Sequence, residues 1–137
     1  MRVFFDTSTL AKKYIEEPGC LELEVFLEKV SQVVVSSVYV IEMFRLINRK
    51  SREKNIKYSD LHQIKDEVLR DHNLFEMIMF SIDIQQKAID LIEQYPLTSL
   101  DSIQLASAVM AQADMFVTSD KQLFKYAALE LKEVQLI

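Results

Sequence analysis

Short apolar runs alternate with longer stretches of helical period along the chain. Arg2–Phe5 reads as a strand. Thr7–Ser8 opens a helix that Pro18–Gly19 stops near Glu17. A second amphipathic stretch carries Leu21, Val25, Leu27 and Val30, with acids on its wet side. The β-branched run Val33–Val35 is short enough for a buried strand, and Ser36–Ser37 opens a long helix to about Lys54. A fourth helix is expected over Ser59–His72, a strand over Phe75–Ile82, and a helix capped at Ser81–Asp83 that ends near Tyr95. Ser99 caps an Ala-rich helix, Met115–Thr118 is a strand, Asp120 starts a short helix and Val134–Ile137 forms a last strand. Strands separated by helices require crossover connections, so the expected fold is α/β, a small mostly parallel sheet covered on both faces. Nothing in residues 1–137 reads as a linker or repeat, so one domain is expected.

Composition narrows this picture. With 137 residues, 50% of them hydrophobic and 27% charged, the chain is long enough for a core without staples. The single cysteine, Cys20, and two histidines, His62 and His72, exclude an internal disulfide and a zinc site of Cys and His ligands. One free thiol fits a reducing, cytoplasmic setting. No apolar run approaches a membrane span, and the start MRVFFDTST meets an acid too early for a signal peptide. The net charge of -5 argues against a general nucleic-acid coat. Between Arg45 and Lys57, however, six basic residues face a single acid, so charge is segregated along the chain.

The chemistry lies in the acids. Asp6 and Asp120 each follow a strand and precede a helix, and Asp101 begins a helix that leads into a strand. Each alone reads equally well as a helix cap or a first-turn acid. Together they gain meaning, because an open parallel sheet binds ligands beyond the carboxyl ends of its strands. Glu42 sits among Val38–Ile41 and Met43–Phe44. A carboxylate there needs a partner, either Arg45 or Arg49 on the same helix face or a metal ion. Clustered carboxylates must take up protons or bind a cation, and oxygen ligands without His or Cys select Mg²⁺ or Mn²⁺.

Four blocks carry a family likeness: FFDTSTLAKKYIEEPG, VVVSSVYVIEMFRLI, LTSLDSIQLASA and ADMFVTSDKQL. In order and spacing the chain resembles PIN-domain ribonucleases, more narrowly the VapC-type toxins of toxin–antitoxin pairs. The resemblance implies a single PIN-like three-layer α/β/α domain that hydrolyses RNA with Mg²⁺ or Mn²⁺. It implies Asp6, Glu42, Asp101 and Asp120 as catalytic metal ligands, with the Ser8 and Thr118 hydroxyls in support. It also implies a cognate antitoxin and a homodimer. Lys12, Lys13, Arg45 and Arg49 are candidate RNA contacts, with exposed surface as the plainer reading. After the third acid, where many relatives carry His or a basic residue, this chain has the neutral Gln104. A non-catalytic RNA- or partner-binding module and an RNA-processing nuclease without an antitoxin are the alternatives. A phosphoryl-transfer enzyme with Asp6 as nucleophile would need an acid where Ser8 stands.

Overall fold

The computed structural model describes residues 1–137. Its elements are β1 (Arg2–Phe5), α1 (Thr7–Leu10, extended by a 3₁₀ turn over Ala11–Lys13), α2 (Cys20–Leu27), β2 (Gln32–Ser36), α3 (Tyr39–Glu53) and α4 (Tyr58–His72). There follow β3 (Glu76–Ile78), α5 (Ile82–Gln94), α6 (Ser99–Ala111), β4 (Met115–Thr118), α7 (Lys121–Glu130) and β5 (Val134–Leu136). The five strands form one sheet in the order β3-β2-β1-β4-β5, and every pairing is parallel.

The two-residue period of the strands sorts the core into two halves. Val3, Phe5, Val35 and Val117 point to one face, where they pack on Leu10, Leu23, Phe26, Tyr39, Met43 and Ile47 from α1, α2 and α3. Phe4, Val34 and Phe116 point to the other and meet Ile84, Leu91, Leu105, Leu123 and the alanines of α6. This is a three-layer α/β/α arrangement. The two faces explain why the central strands are apolar at nearly every position.

Several boundaries differ from the sequence expectation. Past Leu10 the first helix tightens into a 3₁₀ turn and ends at Lys13, four residues short of Glu17. It has by then buried Leu10 and Ala11, and Gly19 turns the chain with φ 95°. Ser36–Ser37 does not open α3. Ser36 ends β2, while Ser37 donates its backbone N–H to Ile78 and its hydroxyl accepts from Phe80 N–H. Those bonds tie it to the end of β3, so the helix starts at Tyr39. The expected strand over Phe75–Ile82 shrinks to three residues because β2 offers it only Val34–Ser36 as partners. Beyond that register Met79 and Phe80 lie exposed, not in the core. Of the apolar positions that read from sequence either as a groove or as core, Leu10, Leu23 and Phe26 are buried in the core, and Tyr14, Leu27, Leu61 and Ile64 pack against it while partly exposed.

Thr98, not Ser99, caps α6: its hydroxyl accepts from Asp101 N–H at 3.2 Å. Thr98→Ala should therefore destabilise the protein by about 1 kcal/mol, read as a lower urea midpoint at unchanged slope.

Candidate active site

In a parallel sheet with helical crossovers, helix N-termini gather at the carboxyl edge of the strands. Asp6 is the N-cap residue of α1, Glu42 and Asp101 lie in the first turns of α3 and α6, and Asp120 is the N-cap of α7. The topology thus brings to one edge four acids spread over more than a hundred positions. The same edge holds eight of the nine buried polar residues: Asp6, Thr7, Thr9, Ser36, Ser102, Gln104, Ser107 and Thr118. Only Ser51 lies elsewhere. Buried polar groups survive where they are hydrogen-bonded, and six of these pair among themselves: Thr118 with Asp6, Gln104 with Thr7, and Ser107 with Ser36. Ser119 donates to Thr9.

Asp6 is 6% exposed. Its carboxylate makes no helix-capping bond, although its position is that of a cap. Instead one oxygen, Oδ2, accepts from the Ser8 hydroxyl and from Thr118 Oγ1 at 3.1 Å. The other oxygen is left free. Burial pushes the Asp6 carboxyl up to about 6 against the two hydroxyl bonds, with Glu42 and Asp101 adding repulsion.

Glu42 stands at the start of α3, not in mid-helix as the sequence pattern implied. Neither Arg45 nor Arg49 forms an ion pair with it. Arg49 reaches Glu53 at 3.8 Å, and Arg45 acts on Glu42 only as a nearby charge. Glu42 Oε2 accepts from Thr7 Oγ1 at 2.9 Å and from Gln104 Nε2, and Oε1 is free. Burial raises the Glu42 carboxyl, opposed by those two bonds, and Asp101 raises it further. Asp101 is likewise raised, by burial first and then by Asp120 across the site. Asp120 is exposed and keeps a capping role, its Oδ1 accepting from Gln122 N–H at 2.7 Å and Leu123 N–H at 3.0 Å.

The four acids therefore feel one another, and no basic side chain bonds to any of them. No three acid, His or Cys side chains close into a ready-made metal cage. The donor set nevertheless fits a hard cation that keeps much of its water, as Mg²⁺ does. Every donor is an oxygen, and Asp6 and Glu42 each have one oxygen pinned by protein donors and one unoccupied.

The candidate RNA contacts divide. Lys12 donates to the Ile137 carbonyl at 2.7 Å and Lys13 pairs with Asp71, so both are engaged within the protein. Lys50 pairs with Glu17, and Lys54 donates to the Glu16 carbonyl. Arg45 and Arg49 stay exposed along α3, on the same helix as Glu42. Two participants escaped the sequence reading: Thr7, and Gln104 in its actual role. The available signal was an amide on the otherwise apolar and small-residue face of α6, one turn after Asp101.

A family model described as PIN domain matches residues 3–129. The chain belongs to the PIN-domain family. No curated protein matches the sequence. Among solved structures the PIN fold recurs in FitAcB from Neisseria gonorrhoeae, with TM-score 0.74 and 13% identity, over 96% of this chain and 95% of that one. It recurs in VapC20 from Mycobacterium tuberculosis, described as a sarcin-ricin loop cleaving toxin, with TM-score 0.70 and 15% identity, over 95% and 97% of the two chains. A toxin–antitoxin complex from Klebsiella pneumoniae gives TM-score 0.68 at 20% identity over 89% of each chain. These PIN-domain likenesses extend over nearly the full length of both partners.

Proposed function

We propose that this PIN domain, taking residues 1–137 as one unit, is a Mg²⁺- or Mn²⁺-dependent endoribonuclease and the toxin of a toxin–antitoxin pair. The observation that carries the reading is the state of Asp6 and Glu42. Asp6 is buried and Glu42 half-buried, burial raises both carboxyls and Glu42 raises Asp6 further, neither is bonded to a basic side chain, and each has one oxygen left open. A purely structural carboxylate in that setting would be expected to find a cation from the chain itself. Asp6, Glu42 and Asp101 would hold the ion, directly or through its waters, with Asp120 at the exposed rim.

A divalent cation held there would neutralise charge on the phosphodiester and lower the pKa of an attacking water. The chain's own part is positioning. Ser8 and Thr118 fix the direction of Asp6, and Thr7 and Gln104 fix that of Glu42. The N-termini of α3, α6 and α7 would direct partial positive charge at a phosphate bound there, partly offsetting the acids. The reading is supported by the solved neighbours, among them a toxin–antitoxin complex and a sarcin-ricin loop cleaving toxin. An antitoxin partner, a homodimer and a cytoplasmic location belong to the same proposal. No helix is long and apolar enough to cross a membrane.

Purified protein incubated with structured RNA should cleave it with Mg²⁺ or Mn²⁺ present and stop on chelation. Cleavage that persists in chelator would reject the metal-dependent reading. Arg45 and Arg49 extend from the acidic edge along α3 as phosphate contacts, and the weak surface pair Arg49–Glu53 is easily given up. The double variant Arg45→Ala/Arg49→Ala should weaken binding to all RNA sequences alike. It should also flatten the slope of log K against log salt by about 1.4, at roughly 0.7 per phosphate contact on single strands. An unchanged salt slope would remove both arginines from the RNA path.

A further inference from the structure

Gln104 is 1% exposed and sits on α6 one turn beyond Asp101. Its Nε2 has two protons, and both are used. One goes to Thr7 Oγ1 at 2.8 Å and the other to Glu42 Oε2. Thr7 has one hydroxyl proton and gives it to the same Glu42 oxygen at 2.9 Å, so towards Gln104 it can only accept. The directions of all three bonds are thereby fixed. A reversed amide would set its carbonyl oxygen against the Glu42 carboxylate and against the lone pairs of Thr7.

The adopted orientation carries a penalty. Gln104 Oε1 is sealed from solvent and has no hydrogen-bond partner. A buried carbonyl left unpaired is unfavourable, and it persists where the rest of the side chain gains more than is lost. Here the gain is at Glu42. That side chain has a competing destination, because Arg45 lies three residues on along the same helix and already draws on its charge. Released from α1 and α6, Glu42 could swing towards the guanidinium and leave the acidic edge.

We propose that Gln104, acting with Thr7, is a positioning residue that pins Glu42 Oε2 and so presents Oε1 to the divalent ion, keeping Glu42 from pairing with Arg45. The inference rests on reading the acidic edge as a divalent-ion site. Groups that hydrogen-bond a ligating carboxylate orient it and tune its affinity, commonly by about 10- to 100-fold. The neutral amide, standing where many relatives carry His or a basic residue, then equips the site to bind its ion.

The test is calorimetric titration of the full chain with Mn²⁺ alone, without RNA, well below the melting temperature. Gln104→Met keeps the side-chain length and removes both donors. It should bind Mn²⁺ about tenfold more weakly or worse. Gln104→His, which keeps a ring N–H for Glu42, should bind Mn²⁺ more tightly than Gln104→Met. At saturating Mn²⁺ the KM for RNA should be unchanged in both variants. Wild-type affinity in Gln104→Met, with or without a lower melting temperature, would overturn the inference and leave Gln104 a packing residue. Should Gln104→Met fail to fold, Thr7→Val replaces it: several-fold weaker Mn²⁺ binding supports the inference and unchanged binding overturns it. Absence of Mn²⁺ binding in wild type would instead overturn the underlying reading of the site.

Discussion

Asp6→Asn should abolish RNA cleavage, lowering it by at least about a thousandfold, while making the metal-free protein more stable. The activity loss follows from removing the most deeply buried of the four acids, since roughly 4 kcal/mol of transition-state stabilisation corresponds to that factor. The stability gain follows from burial. With its carboxyl pushed up to about 6, ionised Asp6 opposes folding, and relative to an unfolded value near 3.9 the penalty is about 3 kcal/mol around pH 7. Asparagine keeps the volume, and its amide can still meet the Ser8 and Thr118 hydroxyls, so most of that penalty should vanish. A rise in melting temperature of roughly 5–10 °C in chelator is expected for a domain of this size. Cleavage assays at fixed Mn²⁺ and thermal melts in chelator on one preparation measure both effects. A variant that is less stable and still active would show Asp6 to be a structural residue.

Metal-free stability should fall as pH rises from about 4 to about 6, against the usual expectation for carboxylates. A group whose folded pKa is raised holds its proton in the native state after the unfolded chain has released it, so each step up in pH through that window favours unfolding. Below the window Asp6 is protonated in both states and contributes nothing; above it the full penalty applies. Glu42 and Asp101, raised in the same direction, deepen the fall. Glu76 works oppositely, its carboxyl held down by the Arg2 hydrogen bond, and loses its stabilisation only as pH falls through its lowered value. Saturating Mn²⁺ should reverse the trend, because the ion binds the ionised acids. At a hundred times its dissociation constant it adds about 2.7 kcal/mol, felt most fully above pH ~6. Melting curves from pH ~4 to ~8 with Mn²⁺ and with chelator measure the divergence. Parallel curves would mean that the acids do not share an ion.

Much of this was legible in the residues. Met115–Thr118 matches its strand end for end because an apolar run bounded by polar residues leaves little freedom of register. The period-two split of Val3, Phe4 and Phe5 between the two faces is equally local in origin. Boundaries failed where a distant strand decided them: Ser37 reads as a helix start, yet its bonds to Ile78 and Phe80 come from forty residues away. Glu42 was recognisable as an acid in apolar company, but whether arginine or a site had claimed it depended on α1 and α6 packing beside α3. Gln104 shows the same limit. As a letter in the sequence it reads as a departure from the family, and only the approach of Thr7 and Glu42 reveals what its amide holds.

The resting place of a divalent ion decides whether the acidic edge is a metal site. Crystals soaked in Mn²⁺ and measured for anomalous scattering should show a peak beside the free oxygens of Asp6 and Glu42, facing Asp101. A peak confined to other surface acids, or none there at Mn²⁺ concentrations that support cleavage, would contradict it.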